Sequence, residues 1–153
     1  MSDALVRRLS RIRREYDATR DAAAYVIRNW QKQNIFDDIQ GTSLEDLRRA
    51  AGRLDAVFVI RLFSTFEGIL KEHLAQHHPH IAVPEEARAV WLIGRVAQRQ
   101  VPPTPASLKS RVHEVRRYRN YLTHPSARHP FETPFAVALS RLSKFVERLP
   151  EPC

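Results

Sequence analysis

The chain has 153 residues, a formal net charge of +8 at pH 7 and an isoelectric point near 10.4. That length suits one domain that can bury a real core without staples. Its single cysteine, Cys153, excludes an internal disulfide and a thiolate metal cluster, and no uninterrupted apolar run, Ala56 to Ile60 included, is nearly long enough to span a bilayer.

Periodicity predicts helices in chain order. The first runs from about Asp3 to Lys32: Ser2 can cap it, and Leu5, Leu9, Ile12, Tyr16 and Thr19 fall at three-four spacing, continued by Ala23, Ile27 and Trp30. Asn34 to Gly41 reads as a loop. Thr42-Ser43-Leu44-Glu45 reads as a capping box opening a second helix, which reaches about His77 with an irregularity at Gly52. The middle of that helix, AVFVIRLFSTFEGIL, is apolar on more than one face. Such a helix is buried on more than one side, by bundle neighbours or by a second subunit. Pro79 ends it.

Pro84 suits the first turn of a third helix from about Glu85 to Arg99, with Val90, Ile93 and Ala97 on its apolar side and Trp91 nearby. Val101-Pro102-Pro103-Thr104-Pro105 is a stiff connector. Ser107 is expected to cap a fourth helix, about Leu108 to Leu122. Its apolar stripe is Leu108, Val112, Val115 and Leu122, and Arg119 occupies the missing step. After a loop from Pro125 to Pro130, Thr133 is expected to cap a fifth helix with Pro134 at its first position. Val137, Leu139, Leu142, Phe145 and Val146 carry its core face, and Pro150 ends it. Short links between amphipathic helices imply an all-α, up-and-down bundle of about five helices in one domain over residues 1–153. The opening segment MSDALVRRLSRIRREYD lacks an apolar core of signal-peptide length, so a soluble, cytoplasmic protein with no membrane partner is expected.

The charge is concentrated. Between Arg95 and Arg128 the cations are Arg95, Arg99, Lys109, Arg111, Arg116, Arg117, Arg119 and Arg128, against one acid, Glu114. Such a segment attracts a polyanion such as RNA, although a solvated Arg-rich face has the same composition.

The sharpest feature is Arg119-Asn120-Tyr121-Leu122-Thr123-His124 at the end of the fourth helix. Positions five apart do not share a helical stripe, but Pro125 forces the chain out of the helix near His124. The imidazole can then fold back toward Arg119. A guanidinium stays charged and grips two phosphate oxygens in a fork. An imidazole titrates near neutrality and can take or give a proton. RNA carries its own nucleophile, the 2′-hydroxyl, so cutting it this way requires neither metal nor cofactor.

The run RNYLTH resembles the signature of the HEPN superfamily: an Arg, a polar neighbour such as Asn, and a His a few residues on. The resemblance implies a small helical bundle and a metal-independent endoribonuclease that acts as a homodimer, one Arg-His pair from each subunit meeting across the interface. It makes Arg119 and His124 the catalytic pair and Asn120 the residue that orients them. Glu67, within FSTFEGILKEHL, looks like the polar position many HEPN proteins carry in an earlier core helix, and an acid there wants a partner such as Arg119. His124 is followed by Pro125 and Ser126, which departs from the His-x-Tyr extension of one toxin branch. The resemblance also implies a setting in antiviral defence or a toxin–antitoxin pair, with an antitoxin or regulatory protein as a further partner. The alternative is a non-catalytic helical module that binds RNA or protein.

Other residues carry weaker signals. Arg116, Arg117 and Arg128 can bind RNA phosphates beside the site or face water, and Tyr121, like Tyr118, can stack on a base or pack in the bundle. Trp30 and Trp91 read most simply as core or interface anchors. His73 and His77 lie four apart on a helix with His78 and His80 close by, but no Cys and no HExxH pattern accompany them. Histidines are also welcome near the carbonyls of a helix end, and no metal is expected.

Overall fold

The computed structural model describes residues 3–30, 42–84, 88–124 and 130–150. The described residues form helices and no strand: α1 Asp3–Asn29, α2 Leu44–Gly52, α3 Leu54–His77, α4 Ala89–Arg99, α5 Ala106–Thr123 and α6 Phe135–Val146. The all-α expectation therefore holds, with the second predicted helix divided in two. The irregularity expected at Gly52 is a break: α2 stops there, and Arg53 (φ −96°, ψ −4°) separates it from α3. Ser2, the loop Asn34–Gly41, the predicted end at Lys32, the predicted start at Glu85, residues 125–129 and Cys153 lie outside the described residues.

The long apolar helix α3 is the axis of the fold. It packs against α1, α4, α5 and α6. Phe58, Val59, Leu62, Phe63, Phe66, Ile69, Leu70 and Leu74 on it are all buried, so neighbours within the chain cover its several apolar faces. Around it one core is closed by Leu5, Leu9 and Ile12 of α1, Leu92, Ile93 and Val96 of α4, Val112 and Val115 of α5, and Phe135, Ala138, Leu142, Phe145 and Val146 of α6. Phe66 meets Phe63 and Phe145 at centroid distances of 5.7 and 5.6 Å, the tilted and edge-on geometries that aromatic quadrupoles favour. Two predicted core residues are instead exposed, Val90 (48%) and Val137 (39%). The true stripes are Leu92, Ile93, Val96, Ala97 and Phe135, Ala138, Leu142, Phe145; Val137 falls off the three-four register of α6, whereas Val90 keeps that spacing with Ile93 and Ala97 but sits in the first turn of α4.

Helix starts depart from the sequence pattern in instructive ways. The α2 capping box sits one residue later than the Thr42–Glu45 reading. Asp46 N–H donates to Ser43 Oγ and Ser43 N–H donates to Asp46 Oδ2, both at 3.1 Å. Neither Ser107 nor Thr133 caps its helix. Pro105 and Pro134 hold the cap positions without a side-chain bond, because their fixed φ leads straight into the first turn. The start of α6 is capped from a distance: Asp55 Oδ2 accepts the Phe135 N–H at 3.2 Å, and Oδ1 of the same carboxylate accepts the Tyr16 hydroxyl. Tyr16 also stacks on Phe135, with centroids 4.2 Å apart. One acid thus ties α1, α3 and α6 together. The connector before α5 contains a cis Val101–Pro102 peptide and is held by Arg148, whose Nη2 donates to the Pro102 and Pro103 carbonyls at 2.9 and 3.2 Å.

Candidate active site

Val112, Val115, Arg119 and Leu122 fall on one side of α5, so the core-facing stripe places a cation where an apolar side chain would otherwise sit. That cation needs an anion, and α3 supplies it. Arg119 Nη2 donates to Glu67 Oε2 at 2.8 Å, joining residues 52 apart in the chain. Arg119 Nη1 donates to Asn120 Oδ1 at 3.1 Å, and the guanidinium carbon lies 5.4 Å from the centre of the Phe63 ring. The Arg119 and Glu67 side chains are 25% and 21% exposed, so the pair sits at the rim of the core and is not sealed within it. A guanidinium has five N–H donors. Two are spent on Glu67 and Asn120, and Nε is buried without a partner. One further N–H on each terminal nitrogen has no hydrogen-bond acceptor among the described residues.

His124 terminates the same helix. Its backbone N–H closes the last turn on the Asn120 carbonyl at 2.8 Å, while φ −138° and ψ 80° turn the chain away. The Thr123 hydroxyl folds back to donate to the Arg119 and Asn120 carbonyls of the last turn. The imidazole is exposed, and among the described residues it has no hydrogen-bond or ion-pair partner, so the expected fold-back onto the Arg119 guanidinium is not seen as a direct bond. The two residues meet instead through shared space: Arg119, Asn120, Tyr121 and His124 line one open cleft of about 1400 Å³.

Arg116 and Arg117 line that cleft as well, as the sequence suggested, and Arg128 lies outside the described residues. Arg116 is half-buried, and its Nε is buried without a partner. Burial, and next the charge of Arg117, push its pKa below the usual guanidinium value, because its cation is partly desolvated with no acid to compensate. Glu114, which also lines the cleft, is engaged by Arg141 at 2.9 Å. Glu132 lines the cleft too and is exposed.

Phe131 is the residue that sequence reasoning missed. It is 98% exposed and lines the cleft beside the arginines. Its one sequence signal is isolation: a lone aromatic between Pro130 and Glu132, outside every apolar stripe. The His73 group is a packing feature. His73 is buried, its ring lies 4.8 Å from that of His77 and 5.9 Å from that of His78, and its Nδ1 has no partner. Among the described residues no three His, Cys, Asp or Glu side chains are placed to hold a metal ion. No described helix is long and apolar enough to cross a membrane.

No family model, curated protein or solved structure matches this chain.

Proposed function

We propose that the protein is a metal-independent endoribonuclease of the HEPN type, cutting RNA at the Arg119–His124 cleft. The observation that carries this reading is the Arg119 guanidinium. It is oriented by Glu67 and Asn120, still has donors to offer, and opens on a cleft shared with an exposed imidazole. Arg119 grips the non-bridging oxygens of the scissile phosphate and stabilises the charge that gathers on them in the phosphorane. The 2′-oxygen attacks phosphorus and its proton passes to a base. The bond to the 5′-oxygen breaks, and that oxygen receives a proton from an acid. The products are a 2′,3′-cyclic phosphate and a 5′-hydroxyl. His124 serves one of these two proton transfers. In the homodimer this reading entails, the second copy's imidazole serves the other. The setting that goes with it is defence or a toxin–antitoxin pair, with an antitoxin or regulatory protein as partner, in the cytoplasm.

The test is incubation of the purified protein with end-labelled RNA in EDTA. The parent protein cuts and leaves cyclic phosphate ends, Arg119→Ala abolishes cutting, and His124→Ala lowers the rate by about 10²- to 10⁴-fold. Binding without cutting by the parent protein would leave a non-catalytic helical module and end the nuclease reading. Solution mass gives the assembly directly, and a monomer at working concentration removes the composite site.

A further inference from the structure

On the flank of α5, next to the cleft, a second concavity of about 450 Å³ is lined by Lys109, Ser110, His113, Arg116 and Arg117, with Val90 of α4 at its edge. Arg116 and Arg117 belong to both concavities. Lys109, His113, Arg116 and Arg117 recur at four-three-one spacing, so they form one ridge on the helix. None of these side chains makes an ion pair with a described carboxylate, and Glu114, the acid nearest them in sequence, is turned to Arg141. Two polar atoms in the ridge, His113 Nδ1 and Arg116 Nε, are buried with no hydrogen-bond partner. His113 and Arg116 are both held below their usual pKa, first by burial and then by neighbouring cations, which for His113 are Arg116, Lys109 and Arg117. The fold therefore gathers cations and donors here, and no carboxylate among the described residues pairs with them.

We infer that this ridge is a second phosphate-binding subsite, which carries the backbone of a single nucleic-acid strand away from the Arg119 cleft along α5. The inference deepens the nuclease reading by assigning the substrate class of its cleft, a strand several nucleotides long, and it rests on that reading for the direction of the strand. From Arg119 back to Lys109 the helix rises about 15 Å at 1.5 Å per residue. That distance accommodates about four phosphates of a stacked strand at ~3.4 Å each. Lys109 and Arg117 supply charge at either end, Arg116 is shared with the cleft, and His113, neutral at pH 7, supplies a hydrogen bond.

The experiment measures binding by fluorescence anisotropy with 2′-O-methyl RNA, whose blocked nucleophile prevents cutting. One oligomer has about twelve nucleotides and spans both concavities; another has about three and cannot. For Lys109→Ala and for His113→Ala, affinity for the longer oligomer falls about five- to tenfold while affinity for the shorter one changes less than twofold. Lys109→Ala also lowers the slope of log affinity against log salt by about 0.7. Lys109→Arg, which keeps the charge, restores the affinity and guards against a folding defect. If the parent protein cuts RNA but both alanine variants bind the longer oligomer as it does, the subsite is refuted and the nuclease reading stands. If the parent binds the longer oligomer through Lys109 but never cuts ribose RNA, the subsite stands and the nuclease reading falls. If it binds neither oligomer, both fall.

Discussion

The Glu67–Arg119 pair gives the most searching prediction, because it tests the architecture of the site without requiring activity. At 2.8 Å, with each side chain about a quarter exposed or less, the pair lies between two regimes. Exposed pairs contribute about 0.2–1 kcal/mol, and removing one partner of a fully buried pair costs about 3–5 kcal/mol. Arg119→Ala strands a carboxylate at the core rim and also removes the contact with Phe63, so about 2 kcal/mol is expected. Glu67→Ala strands the guanidinium, which keeps Asn120 and the Phe63 ring, so about 1.5 kcal/mol is expected. The double variant strands neither charge and should lose less than the sum, by about 1 kcal/mol of coupling. Urea unfolding followed by the fluorescence of Trp30 and Trp91, both half-buried, measures all four proteins. For a chain of this size each kcal/mol shifts Tm by about 2–4 °C, so thermal scans give an independent reading. Single-variant losses that add to within about 0.3 kcal/mol would refute the pairing, and with it the account of how Arg119 is aimed.

His73 predicts a pH dependence of stability. Burial, then the charges of His77 and His78, lower its pKa from 6.5 to about 4. The folded state favours the neutral ring, so the unfolded chain binds the extra proton between those values. Stability is full above pH 6.5 and falls by about 2–3 kcal/mol as pH drops toward 4, with His78 and His113 adding in the same direction. Replacing His73 by Leu should flatten most of that slope in urea titrations across pH 4–7; an unchanged slope places the sensitivity elsewhere. Asp55→Ala removes both the distant cap of α6 and the Tyr16 anchor, and should cost about 1–2 kcal/mol in chemical denaturation. A loss below about 0.5 kcal/mol would show that water replaces that carboxylate without penalty. Phe131→Ala, at a fully exposed position, should leave Tm unchanged and weaken single-strand binding by about 1–3 kcal/mol in anisotropy titrations if a base stacks on the ring. Unchanged affinity removes Phe131 from the binding surface.

The helices of this chain were legible because their periodicity is strong: the first half of the α1 stripe, the α5 stripe and the apolar run of α3 lie where the spacing of apolar residues puts them, whereas Thr19, further along the predicted α1 stripe, is exposed. Helix starts were less legible. A serine or threonine near a proline looks like a cap, but the proline's own φ can start the helix. The real cap of α6 comes from Asp55, 80 residues away, which no local pattern encodes. The partnership of Arg119 with Glu67 could be anticipated because a cation at an apolar step and an acid in an apolar helix each lack a local solution. The position of His124 could not, since it depends on backbone dihedrals at a helix end. Phe131 and the Lys109–His113 flank escaped for a related reason: exposure and missing counter-ions are properties of surfaces, which no sequence spacing reports.

The two halves of the cleft differ in how tightly they are held. Arg119 is pinned by two hydrogen bonds and a ring, so its rotational freedom was surrendered when the chain folded, and an arriving anion need not organise it again. The His124 ring, on the residue that follows the helix and without a partner among the described residues, must be steered into place by whatever docks there. Clamping that ring, by a ligand or a neighbouring chain, is then the step at which such a cleft can be switched on, and the rigid half waits already set.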